Sequence, residues 1–548
     1  MALSAAEEDR LQQQARHLLQ DAQDGDPELR RIALASLGPL LARAREAAPA
    51  PATLARLLRI GVLVRDMASE AGGPPARAPD ELLDELVTHA VAHGLVEYEA
   101  GAHALRGQIA LARGRCDTAL ESAALALVAL DTAPPSYQRG LALTDVAILL
   151  VHLGLEDTAE PLLERAHADI VDFGEPRHQF ISTTNRVHSA VVHGLGLERA
   201  AMPSAAGDRY GAAARWALEG LAQWEALATG DPLGEEYTAE LRAALGLAAV
   251  AGVAPDGPDQ LPALGALLPT LRRTDRRLMV GIALSRLLHR AGDRRAALDV
   301  LGEVAGAAPD RDVERQLQLA AVREITELRV GLAADGGPVD PLRAYLSEVE
   351  AELWALRRSR AEGLASRLAN QRLRREHGQL SAQAAQDPLT GLANRRAMQD
   401  ALVRLLGGEG ATSWVAVALL DLDGLKRVND AGSHADGDAA LRAVATAMAG
   451  AIRGDDMVAR YGGDEFVLLM PGTAPAEALT AVQRVVDAVA ALPPHAGFRV
   501  TASAGLSTVA PGVVADPEAV LGEADAAMYR AKQAGGNRVV AAVPPGRG

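Results

Sequence analysis

The sequence predicts a multidomain protein in which an all-α N-terminal region and a long connector helix precede a C-terminal α/β domain. Three observations support this division. Apolar residues recur at helical spacing from about residue 5 to 335, a heptad pattern begins at Leu342, and helical and strand patterns alternate from about Gln386. The predicted ranges are 1–337 for the helical region, 338–384 for the connector and 385–548 for the α/β domain.

The composition indicates a globular protein and argues against a membrane-spanning or disulfide-bonded one. Hydrophobic residues make up 49% of the 548 residues, and no uncharged apolar run of about 18 residues would span a membrane. The N-terminus lacks the features of a signal peptide, and the single cysteine, Cys116, excludes an intramolecular disulfide or a cysteine zinc site. We therefore expect a cytoplasmic protein without membrane contact. The net charge of −16 argues against broad nucleic-acid binding.

Lysine is almost absent from this chain. Lys426 and Lys532 are the only lysines among 55 basic residues, and the others are arginines. Against that background, the two lysines mark positions where a compact ammonium group is preferred to a planar guanidinium group. Both lysines lie in the predicted α/β domain.

A recurring pattern of glycine followed by small residues runs through the helical region. Gly114, Gly154 and Gly292 each follow an apolar helix and are followed by small or apolar residues at the same spacing. The glycine ends the first helix of each predicted pair, and the small residues allow the second helix to pack closely. The pattern resembles tetratricopeptide-type repeats, which stack into solenoids and bind peptides or proteins. An ordinary all-α bundle is the alternative, and no residue here identifies the ligand.

The connector is predicted from a heptad pattern among glutamates and arginines, in which apolar residues alternate at spacings of four and three. These residues are Leu342, Leu346, Val349, Leu353 and Leu356, followed after a weaker stretch by Leu364, Leu368, Leu373 and Leu380. A long helix directly before the next domain predicts a coiled coil that joins two copies of the chain. A helix that caps the end of the repeat array is the alternative.

The α/β domain shows two predicted buried strands, at 414–420 and 498–507, and two predicted helices, at 441–452 and 474–492. A hairpin lies between them, because the residues from Gly462 to Glu465 separate two short apolar runs. Paired glycines permit the positive φ angles of a tight turn. The turn would present two carboxylates beside a bare glycine backbone, where a metal ion and a phosphate could approach. Taken alone, the same residues would also fit an acidic surface hairpin.

Three further segments accompany this hairpin. The domain opens with Asp387–Arg396, its first predicted strand leads into Asp421–Asp430, and Asp525–Lys532 comes last, followed by Gly535-Gly536-Asn537. In this order and at this spacing, the four segments resemble the GGDEF family of diguanylate cyclases over about residues 386–542. The resemblance implies a palm-like fold related to nucleotidyl cyclases and polymerases. It also implies the synthesis of cyclic di-GMP from two GTP molecules.

The acidic residues of these segments predict a metal site. Asp421 ends the first predicted strand, so its carboxylate would point out of the sheet edge, with Asp464 beside it. Carboxylate oxygens suit Mg²⁺, which completes its shell with water and phosphate. The resemblance implies that Asp421, Asp464 and the carbonyl of Leu422 bind Mg²⁺ or Mn²⁺. It also implies that Asp421, Asp464 and Glu465 are catalytic, and leaves open whether Asp464, Glu465 or water takes the proton.

The resemblance also implies which residues bind GTP. Asn429 and Asp438 match the pair that recognises guanine, and a carboxylate suits the N1–H and N2–H donors that guanine has and adenine lacks. Residues expected to contact the phosphates are Gly424, Leu425, Lys426, Arg460 and Lys532.

Three positions depart from the family pattern. Gly424-Leu425 replaces a common aromatic residue, Ser433 replaces a frequent glycine, and Gly536 replaces a phosphate-contacting arginine. Arg538, two residues after Gly536, would have to compensate for the missing arginine, or the affinity for the triphosphate would be lower.

An inhibitory site for the product is expected upstream of the hairpin. Arg453-Gly-Asp-Asp456 fits the family's RxxD motif, and Arg484 lies where the family often has a supporting arginine. Arginine binds phosphate or a guanine edge through two parallel hydrogen bonds. A purely structural ion pair is the alternative interpretation of Arg453 and Asp456.

The sequence therefore predicts a cytoplasmic diguanylate cyclase that is regulated by its helical repeats and inhibited by cyclic di-GMP. Each GGDEF domain would hold one GTP, so two domains must face each other in a two-fold symmetric homodimer. A protein or peptide would bind the repeats, but its nature and the sign of its effect are not encoded in any motif. The rival hypothesis is a catalytically idle receptor for GTP or cyclic di-GMP, or a scaffold that acts through protein contacts.

Overall fold

A computed structural model describes residues 4–23, 27–70, 79–227, 232–254, 259–306, 315–332, 339–407, 413–495 and 497–542. The chain divides into two compact units, Met1–Leu373 and Arg374–Gly548. The predicted boundary between the helical region and the connector, at 337–338, lies outside the described residues. The division between the two units falls within the connector helix.

The first unit is helical throughout its described residues, as the sequence predicts. A short 3₁₀ turn, Leu268–Thr270, interrupts the α-helices. The helices are α1 (Ala5–Gln23), α2 (Pro27–Ala47), α3 (Pro51–Glu70), α4 (Pro79–Ala92), α5 (Val96–Ala112), α6 (Cys116–Leu130), α7 (Tyr137–His152), α8 (Glu156–Phe173), α9 (Pro176–Arg199), α10 (Pro203–Leu227), α11 (Pro232–Val250), α12 (Leu261–Leu267), α13 (Thr274–Arg290), α14 (Arg294–Gly306), α15 (Arg315–Leu332) and α16 (Val339–Ala384).

The repeating glycines lie at the helix ends that the sequence predicts. Gly114, Gly154 and Gly292 follow α5, α7 and α13 and have φ angles of 76°, 78° and 92°, which favour glycine at the end of a helix. The small and apolar residues that follow each glycine are buried, including Ala119, Ala159, Ala297 and their neighbours on the same helix faces. The pairing of helices across these turns is confirmed, whereas their identity as tetratricopeptide repeats stays a prediction.

The connector is one 46-residue helix, α16. Its middle section packs against the helices of its own unit: Leu364 is buried, and Trp354 and Leu368 contact the same apolar core. The side chains of Leu342 and Leu380 lie outside the described part of the helix. Over the described residues, no helix of the chain is both long enough and apolar enough to cross a lipid bilayer.

The second unit is an α/β domain with one six-stranded sheet, in the order β1-β3-β4-β2-β5-β6. The strands are β1 (Ala393–Asn394), β2 (Val415–Asp423), β3 (Met457–Gly462), β4 (Glu465–Pro471), β5 (Thr501–Val509) and β6 (Val539–Ala541). The helices are α17 (Arg395–Leu406), α18 (Leu425–Ala431), α19 (His434–Gly450), α20 (Pro475–Ala490) and α21 (Pro517–Gln533). The predicted α/β class is confirmed.

The central strand β2 is antiparallel to both of its neighbours, β4 and β5, and β3 and β4 form the predicted hairpin. The short outer strands β1 and β6 run parallel to β3 and β5. Strand β5 begins three residues later than predicted, because Phe498 instead forms an isolated bridge with His495. Apart from such end shifts, the predicted strands and helices of this domain are confirmed.

Both faces of the sheet are covered, which explains why β2 is apolar without alternation. Ala416, Ala418 and Leu420 belong to the core that is shared with α19 and α20. Val415, Val417 and Leu419 face the opposite core, which is shared with α17 and α21. Side chains alternate between the two faces along a strand. Asp421 therefore continues the row that faces α21, the helix that carries Lys532.

Candidate active site

The three predicted acids meet where β2 and β4 pair. Asp421 is the direct cross-strand partner of Glu465, and directly opposed residues of an antiparallel pair project from the same face. The sequence placed Asp421 at the end of its strand, and this detail is wrong. Strand β2 continues to Asp423 because its backbone keeps pairing with β5 as far as Thr501. Asp421 therefore lies inside the sheet and is 9% exposed.

The hairpin turn brings Asp464 to the same place. Gly463 has a φ angle of 51°, the left-handed conformation that glycine adopts without steric cost. The backbone N–H of Leu422 donates a 3.1 Å hydrogen bond to the carbonyl of Asp464, which ties the turn to β2. Nε and Nη2 of Arg460 donate to the carbonyl of Gly463 at 3.0 and 2.8 Å. The turn is thus held from both of its sides.

Arg460 also connects the turn to the first motif of the domain. Its Nη1 lies 3.2 Å from Oδ1 of Asp387. That carboxylate also accepts hydrogen bonds from the backbone and hydroxyl of Thr390. Burial favours the neutral acid, but the hydrogen bonds from Thr390 and Arg460 prevail and lower the pKa of Asp387. The sequence singled out Asp387 only as part of a motif, and its role in holding Arg460 emerges from the structure.

Lys532 reaches the acidic cluster from α21, and its Nζ lies 2.6 Å from Oδ1 of Asp421. Burial raises the pKa of the Asp421 carboxyl, opposed by the hydrogen bond from Lys532, and repulsion from Asp464 adds to the rise. Burial and the nearby charges of Asp421, Asp464 and Asp525 likewise raise the pKa of Glu465. The three carboxylates repel one another at this site, and a bound cation would reduce that repulsion.

The donor set fits a hard divalent cation. Among the described residues, no group of three or more acidic, histidine or cysteine side chains is arranged to hold a metal ion by itself. Asp421, Asp464 and the backbone carbonyl of Leu422 would supply only part of a coordination shell. Mg²⁺ usually keeps several waters and takes further oxygens from substrate phosphates, so an incomplete protein shell of oxygens is what a nucleotide-bound cation requires.

The two residues expected to recognise guanine lie on α18 and α19. The side chain of Asn429 packs so closely over the backbone of Gly437 that a Cβ atom there would overlap its amide oxygen. Asp438 is the next residue along α19, so Asn429 lies against the turn of α19 that carries Asp438, and their joint recognition of guanine stays a prediction. The sequence did not identify Gly437 as necessary, because its requirement depends on the approach of a second helix.

Ser433, one of the departures from the family pattern, is well suited to its position. It caps α19: its hydroxyl accepts from the backbone N–H of Asp436, and the Asp436 carboxylate accepts from the backbone N–H of Ser433. Such a reciprocal capping box satisfies two donors at a helix start. The N-terminus of α19, the helix that carries Asp438, is therefore stabilised.

Three of the five residues expected to contact phosphates lie at the start of α18, and the other two lie on α21 and β3. Gly424 precedes α18 with a φ angle of 87°, Leu425 is buried, and Lys426 is exposed. Lys532 currently pairs with Asp421, and Arg460 with Gly463 and Asp387. Arg460 is thus in the same hairpin as the acids but already has partners, and its contact with phosphate stays a prediction.

Asp423 is a structurally central residue that the motif analysis passed over. Its carboxylate accepts from the hydroxyls of Thr501 and Ser503 at 2.9 to 3.0 Å and from the backbone N–H of Asn537 at 3.1 Å. Gly536, with a φ angle of 74°, lies against the same carboxylate. Arg538 donates from Nε to the carbonyl of Gly536 at 3.1 Å. Asp423 therefore fixes the loop that follows α21.

The three residues of the expected inhibitory site lie around the turn between α19 and β3. The backbone N–H of Arg453 donates to the Asp456 carboxylate at 3.1 Å, and Nη2 of Arg453 donates to the hydroxyl of Thr473. From α20, Arg484 donates to the carbonyl of Ala451 at 2.7 Å. The Arg453 side chain remains 57% exposed, whereas the Asp456 side chain is 1% exposed. Asp456 thus stabilises the turn, and the Arg453 guanidinium faces solvent.

Comparison with known proteins identifies relatives of the α/β domain. Residues 384–538 match the family described as "Diguanylate cyclase, GGDEF domain". The response regulator PleD of Caulobacter vibrioides is 42% identical over 167 residues, which cover 29% of this chain and 36% of PleD. The diguanylate cyclase TpbB of Pseudomonas aeruginosa is 33% identical over 251 residues, covering 44% of this chain and 51% of TpbB.

Among solved structures, this chain is similar to the coiled coil and GGDEF domain of DgcB from Caulobacter crescentus in complex with c-di-GMP. The identity is 32%, and the match covers 33% of this chain and 99% of that structure with a TM-score of 0.30. The chain spans between about a third and a half of the length of the two curated relatives. The family match, residues 384–538, includes the whole candidate site.

Proposed function

Residues 384–538 form a GGDEF domain, and from this premise we propose that the chain is a diguanylate cyclase. It condenses two GTP molecules into cyclic di-GMP and releases two pyrophosphates. The observation that carries the proposal is the acidic cluster on β2 and β4, where Asp421 faces Glu465 and pairs with Lys532 at 2.6 Å. Phosphoryl transfer depends on positioning and charge stabilisation, and this cluster offers both carboxylate and ammonium groups.

The acids bind a divalent cation in this proposal. Asp421, Asp464 and the Leu422 carbonyl are its protein ligands, and Mg²⁺ or Mn²⁺ suits these oxygen donors. When bound, the cation supplies activation of the 3′-hydroxyl and neutralises charge on the α-phosphate and the leaving pyrophosphate. Glu465 completes the cluster. The 3′-oxygen attacks the α-phosphorus of the second GTP, and the bond from that phosphorus to the pyrophosphate oxygen breaks.

Guanine specificity follows from the polar pair on α18 and α19. The Asp438 carboxylate accepts from the N1–H and N2–H groups of guanine, and Asn429 supplies a further donor and acceptor. Adenine lacks this pair of donors, so a site built to bind them rejects ATP because the polar groups that the base covers would be left unpaired. Gly437 allows Asn429 to lie against α19 beside Asp438.

The triphosphate is bound at the start of α18 and by the two lysines. Gly424 and Leu425 offer backbone groups, and Lys426 is exposed beside them. The ammonium group of Lys532 exchanges its partner, from Asp421 in the free chain to phosphate oxygens in the complex. Arg460 adds positive charge and keeps the hairpin turn in position through Gly463.

A single domain cannot close the ring, because each binds one GTP. Two chains therefore form a homodimer whose GGDEF domains face each other across a two-fold axis. The helical unit, which we interpret as tetratricopeptide-like, binds a protein or peptide and biases this arrangement. Cyclic di-GMP bound by Arg453 and Arg484, on the turn that Asp456 stabilises, would favour the non-facing arrangement. We expect these steps to take place in the cytoplasm.

The proposal is tested by incubating the purified chain with GTP and Mg²⁺ and separating the nucleotides. We expect two pyrophosphates for each cyclic di-GMP, and no product from ATP. Asp464→Asn and Glu465→Gln should abolish turnover. Glu477→Gln, an exposed acid in the first turn of α20, is the matched control and should leave turnover unchanged. GTP binding without any product, at protein concentrations at which the chain is dimeric, would refute the cyclase and favour the receptor.

The inhibitory site has a separate test. Arg453→Ala removes the exposed guanidinium but leaves the backbone hydrogen bond that ends on Asp456. Turnover should then resist added cyclic di-GMP, with little change in its value when no product is present. An unchanged inhibition curve would rule out this site.

A further inference from the structure

The connector helix α16 is not free in this chain, since its middle section lies along the helical unit. Leu364 is 4% exposed, and Trp354 and Leu368 pack against the core formed by the preceding helices. The residues of α16 between 345 and 373 therefore have an occupied face and an outer face. The occupied face contacts the helical unit, and the outer face is exposed to solvent.

The occupied face is held by a set of polar contacts to acidic residues of the helical unit. Arg367 pairs with Asp117 at 2.8 Å, Gln371 donates to Glu121 at 2.5 Å, and Arg372 forms two parallel hydrogen bonds with Asp131. We call Asp117, Glu121 and Asp131 the acidic row. All three lie on α6 or directly after it, so one helix of the repeat region accounts for most of the charge complementarity.

Arg357 makes the most enclosed contact of the connector. Its guanidinium lies 3.6 Å from Glu156, and the two side chains are only 11% and 3% exposed. The space it occupies exists because Gly154 and Gly196 lack side chains: a Cβ atom on Gly196 would lie 2.9 Å from Nη1 of Arg357. Arg360, one turn further, donates to the carbonyl of Leu153 and touches the thiol of Cys116.

The docked face and the predicted heptad face overlap. Leu364 is buried and Leu368 packs against the core of the helical unit, so these two residues cannot contact a second connector at the same time, and Leu353 is half-buried. Other heptad residues are left out of the docked face: Leu356 is 46% exposed and Leu373 is 64% exposed. Docking thus uses part of the apolar surface of α16 and leaves the rest in water, whereas a coiled coil would use the whole heptad pattern.

We propose that the acidic row holds the connector in an autoinhibitory docked position, and that release of α16 allows two connectors to pair. The proposal rests on the proposed cyclase, because pairing is what would bring two GGDEF domains together. Exposed ion pairs are individually weak, so docking that depends on several of them is reversible. A regulator of the helical unit would then act by changing how firmly the acidic row binds the arginines of α16.

The test reverses the acidic row in the full chain with Asp117→Lys, Glu121→Lys and Asp131→Lys. The matched control carries the same charge change at three exposed acids of other helices, Asp172→Lys, Glu225→Lys and Glu303→Lys. Three readouts are compared at equal protein concentration: the mass in solution, the turnover of GTP and the rate at which Cys116 reacts with a thiol reagent. Cys116 is the single cysteine of the chain, and Arg360 lies against it when α16 is docked.

We expect the reversed acidic row to shift the ratio of docked to released connector by about tenfold, from the loss of several pairs of modest strength. The dimer fraction, the thiol rate and the turnover should rise together, and the control should match the unaltered chain. Adding Arg367→Glu and Arg372→Glu to the reversed row should restore all three readouts, because the charges are exchanged. The same two connector substitutions alone should release α16 and raise all three readouts. Because this variant keeps Asp117 beside Cys116, its thiol rate reports release without the direct effect that Asp117→Lys has on the neighbouring thiol.

Two results separate this proposal from the proposed function. If the dimer fraction and thiol rate rise in a chain that never makes cyclic di-GMP, docking holds and the cyclase is refuted. If cyclic di-GMP is made but the reversed row changes neither the dimer fraction nor the thiol rate relative to the control, the docked connector is refuted.

Discussion

A substitution at Gly505, in the middle of β5, tests whether the close packing of α21 on the sheet positions Lys532. It pairs with Leu419 of β2 on one side and Val540 of β6 on the other. A Cβ atom added there would lie 2.0 Å from the carbonyl oxygen of Ala524 and 2.2 Å from the backbone nitrogen of Met528. Both atoms belong to the backbone of α21, so no side-chain rotation relieves the overlap.

Gly505→Ala therefore forces α21 away from the sheet. Carbon atoms in contact prefer about 3.5 Å or more, so the helix must retreat by more than about 1 Å. Overpacking of this kind typically costs about 1–3 kcal/mol of unfolding free energy, and more where backbone must move. Lys532 lies near the end of the same helix, and its 2.6 Å contact with Asp421 would be lengthened. A displacement of about 1 Å at a reacting centre costs roughly 100-fold in rate.

The assay combines GTP turnover with hydrogen exchange of peptides that cover α21. Gly522→Ala on the same helix is the control, because nothing lies within 4 Å of a Cβ atom there and alanine favours the helix by up to about 1 kcal/mol. We expect faster exchange in α21 and strongly reduced turnover for Gly505→Ala, and neither for Gly522→Ala. If both variants exchange and turn over alike, the close approach of α21 does not position Lys532.

Three further predictions follow from other contacts. Lys532→Gln removes the ammonium group from Asp421 and should reduce turnover by more than about tenfold. Lys532→Arg should recover only part of the turnover, because a planar guanidinium group does not replace a compact ammonium group. Equal turnover in Lys532→Arg and the unaltered chain would contradict the need for a lysine. Asp423→Ala removes the acceptor for Thr501, Ser503 and Asn537 and should lower the unfolding free energy by about 2 kcal/mol or more. The backbone N–H of Asn537 should also exchange faster, and unchanged exchange there would show that Asp423 does not hold the loop after α21. Burial lowers the pKa of His103 to about 4, so the unfolded chain takes up a proton as the pH falls below about 6.5. The helical unit should lose about 1.4 kcal/mol per pH unit between about pH 6 and 4, and urea unfolding of His103→Leu should lack this part of the loss.

The helical unit and the α/β domain were predictable because their signals are local. The glycine that ends a helix, as at Gly114, and the small residues after it recur within one stretch of chain. Likewise, the strands of the hairpin and the acids between them are consecutive residues. Such patterns depend on backbone conformation and on one buried face, both of which are written into neighbouring residues.

Contacts between distant segments were not predictable in the same way. Nothing near Asp423 in sequence indicates the three donors that surround it, because Thr501, Ser503 and Asn537 lie 78, 80 and 114 residues later. The connector illustrates the same limit. Its heptad spacing correctly predicts a long helix, but the spacing does not reveal that Leu364 packs within its own chain.

Asp421 and Asp423 show how one motif divides into two roles. They lie two residues apart on β2, so both project from the face that α21 covers. Asp423 is surrounded by two hydroxyls and a backbone N–H, and a carboxylate saturated by fixed donors is poorly suited to bind a cation. Asp421 instead pairs with Lys532, whose side chain is 36% exposed and flexible enough to leave.

The difference follows from register rather than from residue type. Strand β5 places Thr501 opposite Asp423 and Ser503 opposite Asp421, and the hydroxyl of Ser503 turns toward Asp423. On its other side Asp421 faces Glu465, an acid that offers it no hydrogen bond in the ionised form. If the register of β2 were shifted by one residue, both aspartates would project from the opposite face of the sheet. The pairing of β2 with β4 and β5 thus decides which aspartate remains available for a cation and which one supports the loop after α21.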